Sequence, residues 1–553
     1  MTKANGEEVI IDEEQVAAKQ RVYLIGGLAT VAACAFFVGL GDLALLGPDE
    51  PRYAEVAREM FASGDYISPR LCGCLWFEKP VLLYWLGSAA YHVFGVNEFA
   101  ARLPSALAAL TTMLLLFRAL RLIVSVRLAA SAAVVFATSG IVIGYARSAT
   151  PDMLLAASMS VALLSLFRWT RASGRKRLAH VALFASAAGL AMLAKGLVAL
   201  ILIGAIVVAF LTATGLWRTI WPREWSLALV IGSAVASLWY APVVARHGWG
   251  FIEEFFVKHH IERYTTNVYG HPQPVYFYLF VAAAGVLPWS FFLVPAATRL
   301  RTLRPRTTAK DALLLLAWIW LAVPTLFFSF SVSKLPGYLL PVFPALAIIV
   351  GFEVERFWSG DRSRVMKFAG LMTAAALLAL GAGFVVYLKR EAVPVVGWRN
   401  ALLIGPLVAA VVVACALAVS RRRLFICSTV VTVVLVAIAG VTLLFPKASA
   451  EWTLKTLSLR AAAELRPGER IAFFIVKEFA PVFYAEGRVV CGEGTVLNAL
   501  REDILAEALE NEPSLLVFTL TRWQGSLEGD PRFATELIGE QGDALVYRVR
   551  LRR

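Results

Sequence analysis

Residues 22–40, VYLIGGLATVAACAFFVGL, are almost entirely apolar, and the short stretch GPDEPRY follows at residues 47–53. The hydrocarbon core of a bilayer is about 30 Å thick and takes about 20 helical residues to cross. The run therefore predicts a membrane-spanning helix whose far end meets two adjacent carboxylates, Asp49 and Glu50. Lys19 and Arg21 precede the run, and no A-x-A-like cleavage site follows it. This pattern predicts an uncleaved signal anchor with a cytoplasmic N-terminus.

The composition of the whole chain also indicates a membrane protein. Of its 553 residues, 59% are hydrophobic and 17% are charged, and the mean hydropathy is +0.70. Soluble domains are about 45–50% apolar and about 25% charged, so the composition excludes a soluble protein. The net charge of +14 predicts basic cytoplasmic loops rather than a nucleic-acid partner. The six cysteines are scattered along the chain and predict no disulfide framework.

Fourteen apolar runs are candidates for membrane spans. Six of the loops between them contain twenty-two basic residues, whereas the other short loops contain six. Basic loops are cytoplasmic, and this rule holds from Arg118 onward only if the run 81–95, which is short and contains His92, does not span. The sequence thus predicts thirteen spans, with 81–95 as a helix at the membrane surface or packed in protein. The fourteen runs are 22–40, 81–95, 99–120, 128–146, 152–167, 178–194, 197–214, 226–244, 275–297, 311–330, 338–355, 366–388, 400–420 and 424–445.

An odd number of spans places the C-terminal segment outside the cytoplasm. We therefore expect a transmembrane domain over residues 1–445 and an outer domain over residues 446–553. Long outer loops are expected at about 41–98 and 245–274. The outer domain is predicted to be a small α/β domain, because it combines strand-like and helical runs. The strand-like runs are Arg470–Val476, Ser514–Leu520 and Ala544–Val549, and the helical one is Leu497–Leu509.

The first outer loop begins with a predicted amphipathic helix. Asp49 is expected to be its N-cap, with Pro51 in the first turn and an end near Gly64. Asp49 and Glu50 either cap this helix at the membrane surface or form the ionisable centre of a site, and the pattern leaves both open. Apolar residues recur at helical spacing on one side, at Tyr53, Val56, Ala57, Met60 and Phe61, and charged residues share the other side, at Arg52, Glu55, Arg58 and Glu59.

Further ionisable and aromatic residues lie in the segments predicted to be outside. Each set also has a plainer interpretation, as a surface ion pair, an interfacial aromatic belt or a lysine that reaches toward water. The sets are Trp76, Phe77, Glu78, Lys79 and Pro80, followed by Tyr84 and Trp85; Asp152 after Pro151; His259 and His260 with Glu262 and Arg263; and Ser333, Lys334, Leu335, Pro336, Gly337 and Tyr338.

Together these motifs resemble a known family. The D-E-x-R-Y helix after the first span, the F-E-K-P element followed by Y-W, the outer Asp152, the F-F…H-x-x-R-[FY] run and the S-x-x-K-L-P-x-Y segment are similar to those of bacterial 4-amino-4-deoxy-L-arabinose lipid A transferases. Those enzymes belong to the GT-C class of glycosyltransferases, which includes protein O-mannosyltransferases. The resemblance covers roughly residues 22–350, and the motifs are specific as a set rather than singly.

The resemblance implies a polytopic α-helical, GT-C-like bundle in the bacterial inner membrane, with its catalytic loops and C-terminal α/β domain in the periplasm. It implies transfer of aminoarabinose from undecaprenyl phosphate to lipid A phosphates, a lipopolysaccharide modification that gives resistance to polymyxin and other cationic peptides. The implied partners are the lipid-linked sugar, lipid A and membrane lipids, and the chain is expected to be a monomer.

The chemistry of such a transfer assigns provisional roles. Asp49 and Asp152 are the predicted catalytic residues, and Asp49 would orient the nucleophile, take its proton or pair with the amino group of the sugar. The predicted ligands of the donor phosphate and substrate are Arg52, Tyr53, Lys79, Tyr84, Arg263, Lys334 and Tyr338, since cations stabilise a phosphate leaving group. We expect that no cofactor is required. An accessory divalent ion such as zinc would use Glu78, His259 and His260 or, alternatively, Cys72 and Cys74.

Two other functions fit parts of the pattern. A protein O-mannosyltransferase-like enzyme with a polyprenyl-phosphate sugar donor would use Asp49 as the general base for a hydroxyl acceptor. A transporter is the second alternative, but transporters often have paired repeats with interrupted helices near the membrane centre. Here the ionisable residues cluster in outer loops instead.

Overall fold

The structure is a computed structural model that describes residues 23–262, 272–304, 308–390, 399–446, 449, 453–476, 479–490 and 499–552. It is mostly helical. The helices are α1 (Tyr23–Phe37), α2 (Asp49–Ser63), α3 (Leu82–Phe94), α4 (Glu98–Ile123), α5 (Val126–Ala137), α6 (Gly140–Ala146), α7 (Asp152–Trp169), α8 (Gly174–Lys195), α9 (Leu197–Thr214), α10 (Pro222–Ile252), α11 (Phe277–Gly285), α12 (Leu293–Leu300), α13 (Ala309–Ser329), α14 (Phe343–Trp358), α15 (Arg364–Arg390), α16 (Arg399–Ala418), α17 (Arg422–Ala439), α18 (Lys455–Glu464), α19 (Ala480–Tyr484), α20 (Glu502–Glu510) and α21 (Gln524–Glu528).

The helices confirm a multi-pass membrane protein. Nine helices in the described part of the chain are long and apolar enough to cross a membrane, and two bent pairs raise the number to eleven. Two shorter apolar helices, Tyr23–Phe37 and Ile404–Ala418, lie at the first and twelfth predicted spans. The count of thirteen itself stays a prediction, and the predicted cytoplasmic N-terminus before Tyr23 lies outside the described residues.

Helix α3 has only 13 residues, about 20 Å at 1.5 Å per residue. It packs against α2 and α4, as a helix packed in protein would.

Two predicted spans are bent rather than continuous. The run 128–146 becomes α5 and α6, which meet at 65°. At the bend the hydroxyls of Thr138 and Ser139 donate to the carbonyls of Val134 and Val135, each at 2.6 Å, and such back-bonding bends helices. The run 275–297 breaks more sharply, at 109°. The prediction missed these bends because it counted apolar residues only, although 275–297 contains the helix-breaking Pro288.

Helix α14 lies at the centre of the bundle. In the 18-residue apolar stretch of Pro336–Trp358, 94% of the residues are buried by protein. In that of Arg364–Arg390, 28% are buried. Helices α4, α5, α7 and α13 pack around α14. The segment just before α14, a 3-10 helix at Pro336–Val342, carries Tyr338 and belongs to the most buried candidate span in the described part of the chain.

The C-terminal segment forms a mixed five-stranded sheet with the order β4-β3-β5-β7-β6. The small strands β1 (Arg70–Leu71) and β2 (Cys74–Leu75) form a hairpin in the first outer loop. Strands β3, β4 and β5 are parallel, and β7 pairs antiparallel with β5 and β6. The five strands are β3 (Arg470–Phe474), β4 (Ala499–Leu500), β5 (Leu515–Leu520), β6 (Phe533–Gln541) and β7 (Ala544–Leu551).

The predicted α/β character of this segment is correct in outline. Three of its strands coincide with the predicted ones. Strand β6 was missed because it is a partly exposed edge strand with a bulge at Leu537 and Gly539. Its sequence therefore lacks the alternation of apolar and polar residues that is typical of a strand. Helix α20 begins at Glu502, while Ala499 and Leu500, which were predicted to be helical, form strand β4. Leu497 lies outside the described residues.

Candidate active site

Helix α2 begins one residue earlier than predicted. Pro48, not Asp49, is the N-cap, and Asp49 is the first helical residue. Gly64 ends the helix as predicted, with a φ of +69° that suits glycine. With the helix started by Pro48, the Asp49 carboxylate does not cap it and is available to the site.

The adjacent carboxylates have different environments. Glu50 is 4% exposed and accepts four hydrogen bonds, two from the guanidinium of Arg102 at 2.9 and 2.8 Å and two from the backbone nitrogens of Leu46 and Ala149 at 2.7 Å each. Arg102 also donates to the carbonyls of Leu40, Leu43 and Ala44. Glu50 therefore joins the end of the first span to α2, α4 and the 149–150 turn. By contrast, the Asp49 side chain is 44% exposed.

Asp49 faces a cavity of about 360 Å³ formed by five separate parts of the chain. The first loop, α6, the start of α7, the end of α8 and the turn before α14 contribute its walls. Of the predicted site residues, the structure brings together Asp49, Tyr53, Lys79, Asp152 and Tyr338. The remaining lining residues are Leu46, Gly47, Pro48, Glu50, Ile141, Gly144, Tyr145, Ser148, Thr150, Pro151, Lys195, Leu335 and Gly337.

Arg52 lies behind this cavity rather than among its lining residues, and its predicted role as a phosphate ligand stays a prediction. It pairs with Asp49 and, at 3.1 Å, with Glu78, and Glu78 pairs in turn with Lys79 at 2.8 Å. Although burial lowers the pKa of Arg52, the neighbouring Tyr53, Glu78 and Asp49 raise it above its usual value. Arg52 is thus always charged. It holds the side chain of Asp49 directly and that of Lys79 through Glu78.

The Arg52 guanidinium lies over three aromatic rings. Its Cζ atom lies 5.1 Å from the ring centroid of Tyr53, 5.5 Å from that of Trp76 and 5.3 Å from that of Phe479. Within about 6 Å such a ring attracts a cation. Tyr53 and Trp76 belong to the first outer loop, whereas Phe479 comes from the C-terminal segment, which the sequence did not connect with the site.

Asp152 has a partner that the sequence analysis did not assign to the site. Asp152 is the first residue of α7, and its carboxylate pairs with Lys195, the last residue of α8. The Lys195 ammonium lies 4.9 Å from the ring centroid of Tyr338. The signal that could have revealed Lys195 is its position among the six basic residues of the loops that the charge pattern predicts to be non-cytoplasmic.

Lys334 was predicted to bind phosphate, but the structure places it outside the described wall of this cavity. Its Nζ atom is buried and donates to the carbonyls of Ser331 at 2.6 Å and Gln273 at 3.0 Å. It therefore holds the turn that carries Gly337 and Tyr338. Gly337 is required there, because a Cβ atom would lie 2.5 Å from the Tyr145 hydroxyl.

The structure bears on four other predicted residues as follows. Tyr84 is fully buried and packs against Tyr53, with ring centroids 6.3 Å apart, so it supports the cavity wall from behind. Arg263 lies outside the described residues, as do the side chains of His259 and His260.

The predicted metal site stays a prediction. In the described part of the chain, no three His, Cys, Asp or Glu side chains are arranged to hold a metal ion. Glu78 is engaged by two cations. The alternative of zinc at Cys72 and Cys74 is wrong for this structure, because Cys74 is part of a disulfide, which the scattered cysteines did not predict. Cys72 is buried and reduced.

A second, larger cavity adjoins the first. It measures about 910 Å³ and shares Leu46 and Gly144 with the polar cavity. Its walls are mostly apolar residues of the segment after α1, of α6, α15 and α17, and of the segment after α11. The exceptions are Arg102 and Arg147. The guanidinium of Arg147 has no hydrogen bond within the described residues, and burial together with the nearby charge of Arg102 lowers its pKa to about 10. The site therefore combines a polar cavity with an apolar one that has an unpaired cation.

Comparison with known proteins defines the class. Residues 78–245 match the family model described as dolichyl-phosphate-mannose-protein mannosyltransferase. The fold is that of the oligosaccharyltransferase of Archaeoglobus fulgidus in its apo form, with a TM-score of 0.52 at 14% identity over 93% of this chain and 73% of that chain. The chain thus has the fold of a class of membrane glycosyltransferases.

The particular proteins it resembles are aminoarabinose transferases. The crystal structure of ArnT from Cupriavidus metallidurans bound to undecaprenyl phosphate matches with a TM-score of 0.77 at 25% identity, over 95% of this chain and 97% of that chain. The undecaprenyl phosphate-alpha-4-amino-4-deoxy-L-arabinose arabinosyl transferase of Edwardsiella ictaluri is 33% identical over 62% of this chain. The namesake from Pseudomonas aeruginosa PAO1 is 33% identical over 64% of this chain and 64% of its own length.

These comparisons confirm the resemblance predicted from the motifs. The aligned stretch spans 62% of the Edwardsiella relative's length. The relatives are transferases, and they favour that function over the transporter alternative.

Proposed function

We propose that the chain transfers 4-amino-4-deoxy-L-arabinose from undecaprenyl phosphate to phosphate groups of lipid A on the periplasmic face of the inner membrane. The observation that carries this proposal is the convergence of Asp49, Lys79, Asp152, Lys195 and Tyr338 on one polar cavity. The identity of the sugar and of its carrier in this proposal is taken from the names of the relatives.

The residues of the polar cavity suit this transfer. The bond between the sugar and the carrier phosphate breaks, and a phosphate oxygen of the acceptor forms the new bond to the same carbon. Lys79 and Lys195 stabilise the anionic leaving group and the anionic acceptor by their charge. The nucleophile is already ionised, so the reaction requires no strong base.

In this proposal Asp49 and Asp152 orient the sugar. Each carboxylate is held by a cation, Asp49 by Arg52 and Asp152 by Lys195. The amino group of the sugar is cationic. The transition state of the transfer also carries positive charge near the reacting carbon of the sugar, and carboxylates stabilise both charges. Removal of either carboxylate should therefore lower the rate more than the affinity for lipid.

The apolar cavity suits the hydrocarbon chains of a lipid substrate. It shares the lining residues Leu46 and Gly144 with the polar cavity, and in this proposal a lipid in the apolar cavity presents its head group to the polar one. Arg147 would pair with a phosphate of that lipid, which offsets the cost of an unpaired buried cation.

Two observations support a periplasmic active site. Basic residues are concentrated in the loops predicted to lie on the other side of the membrane. Cys74, in the same loop as Asp49, is disulfide-bonded. Disulfides persist in oxidising compartments such as the periplasm. We therefore propose a cytoplasmic N-terminus and a periplasmic C-terminal domain for a monomeric enzyme.

The proposed reaction requires no metal, because a donor with one phosphate lacks the diphosphate that metals clamp. An accessory zinc ion at Glu78 with His259 and His260 is the alternative. We expect the purified enzyme to keep its rate after dialysis against EDTA. A loss of activity that zinc restores would favour the accessory ion.

The test in cells is mass spectrometry of lipid A from a strain that lacks the gene. Plasmid-borne wild type should restore the aminoarabinose mass on the phosphates and resistance to polymyxin, and Asp49→Asn at equal membrane abundance should restore neither. Lipid A that is identical with and without the gene would contradict the proposal.

The family model supports a second candidate function, protein O-mannosyl transfer. Its description as a protein mannosyltransferase corresponds to a hydroxyl acceptor, for which Asp49 would have to act as general base. With labelled donor supplied to membranes, this candidate predicts labelled protein, whereas the first predicts labelled lipid A.

A further inference from the structure

The C-terminal domain contacts the first outer loop through helix α19. This helix packs against α2 and α18. At its C-terminal end, the Tyr484 hydroxyl accepts a hydrogen bond from the Leu45 nitrogen at 2.9 Å and donates to Glu98 at 3.1 Å. Lys455 of α18 pairs with the same carboxylate. Leu45 lies four residues before Asp49, so this end of α19 fixes the approach to the catalytic loop.

The turn after α19 rests on the next part of α2. Gly487 has a φ of +71°, and a Cβ atom there would lie 2.5 Å from a carboxylate oxygen of Glu55 and 2.9 Å from the Arg58 guanidinium. Glu55 and Arg58 form a buried ion pair at 2.7 Å. Only glycine allows this close approach, and α19 is thereby held at two points of the loop and helix that carry Asp49.

Arg52 lies between these two points of the first loop and α2, and its Cζ atom is 5.3 Å from the ring centroid of Phe479, at the start of α19. The edges of the guanidinium are taken by Asp49 and Glu78. Carboxylates at the edges fix the plane of the group, and an aromatic ring within about 6 Å attracts its positive charge. Phe479 belongs to the C-terminal domain, whereas the other groups around Arg52 belong to the first outer loop.

We propose that Phe479 is a positioning residue for the transfer reaction, through which the C-terminal domain completes the active site by holding Arg52 against Asp49 and Glu78. This inference rests on the proposed function. It gives the C-terminal domain a part in the chemistry rather than only in binding or stability. Because Arg52 fixes Asp49 and Lys79, loss of the ring should affect the rate more than substrate affinity.

The test compares four full-length variants in vesicles. Phe479→Ala and Phe479→Leu should lower kcat about 5- to 20-fold with KM changed less than about 2-fold, while Phe479→Tyr retains the rate. Leucine keeps the apolar volume but not the ring, so it separates the cation contact from packing. Phe483→Leu, on the same helix and without a described cation contact, is the matched control and should keep the wild-type rate.

The reactivity of Arg52 toward phenylglyoxal gives a readout that requires no substrate. Peptide mass spectrometry should show faster modification of Arg52 in Phe479→Ala and Phe479→Leu than in wild type, Phe479→Tyr and Phe483→Leu. In an Arg52→Gln background, Phe479→Ala should lower kcat no further, because its effect acts through Arg52.

Full activity in Phe479→Leu, or unchanged Arg52 reactivity in Phe479→Ala, would overturn the inference. A wild type that transfers no aminoarabinose would overturn the proposed function alone, since the arginine modification is measured without substrate.

Discussion

At the scale of single residues, neighbouring carboxylates have unlike roles. Asp49 and Glu50 are chemically similar and adjacent, and the sequence left open whether they cap a helix or form a site. The structure separates them by burial, because Glu50 faces Arg102 inside the protein while Asp49 faces the polar cavity. The partner that decides this, Arg102, is 52 positions away in the chain, and no local pattern links the two.

This separation predicts opposite results for two conservative substitutions. Asp49→Asn should reduce transfer about 100-fold or more without a change in melting temperature. Glu50→Gln should destabilise the protein by about 3 kcal/mol, because Arg102 would be a buried charge without its carboxylate. Activity and thermal melting of both variants in one detergent check the pair. Equal stability of Glu50→Gln and wild type would contradict the structural role of Glu50.

Glu55 predicts a pH dependence of stability. Burial raises the pKa of Glu55 to about 7 from the ordinary 4.5, against the lowering effect of Arg58. The folded protein therefore binds this proton more tightly than the unfolded chain does, so the contribution is fully present below pH 4.5 and is lost as the pH rises to about 7. The groups that face Glu55 are Arg58, Glu59 and Cys72, with Glu486 near Arg58.

The corresponding measurement is the melting temperature between pH 5 and pH 8. Wild type should melt at a lower temperature at the alkaline end, and Glu55→Gln should reduce that difference because the amide does not ionise. A difference of the same size in Glu55→Gln would assign the pH dependence to other groups.

At the scale of elements, periodicity and capping residues predicted well what depends on neighbours in sequence. Helix α2 ends at Gly64 as predicted, and three of the C-terminal strands were found. The bends between α5 and α6 and the edge strand β6 were missed, because hydroxyl back-bonding and sheet-edge position leave no periodic signal. Lys195 was not assigned to the site and Lys334 was, since each is a lysine beside an apolar run and only the packing shows that Lys195 lines the cavity.

These two lysines give a matched prediction. Lys195→Met should lower kcat about 100-fold, because Asp152 loses its cation and the cavity one positive charge. Lys334→Met should mainly lower the melting temperature, since the carbonyls of Ser331 and Gln273 lose their donor. Kinetics together with thermal melting separate the two effects. The reverse assignment, with Lys334→Met inactive but stable, would contradict the placement of these side chains.

At the scale of the whole molecule, composition and charge predicted the class of protein, and a small number of loop residues predicted the family. Loop charge predicts orientation because each basic residue opposes its own transfer across the membrane. Neither composition nor charge reveals how the C-terminal domain sits on the first loop, since the contact of Phe479 with Arg52 joins residues more than 400 positions apart. Long-range contacts of this kind follow from the fold rather than from any local pattern.

The proposed orientation predicts the accessibility of introduced cysteines. In a variant with serine at Cys34, Cys72, Cys415 and Cys427, Asn511→Cys in the C-terminal domain should react with a membrane-impermeant thiol reagent in spheroplasts. Ser359→Cys, in a loop with basic residues, should react only after the membrane is permeabilised. Both positions are exposed, so burial does not explain a difference. Labelling in the opposite order would contradict the proposed topology.

The most direct test of the central claim is transfer by the purified protein in vesicles. With undecaprenyl-phosphate-linked aminoarabinose and lipid A as the only substrates, mass spectrometry should show aminoarabinose on the lipid A phosphates with wild type and none above background with Asp49→Asn. Unmodified lipid A after incubation with wild type, or equal modification by folded Asp49→Asn, would contradict the account.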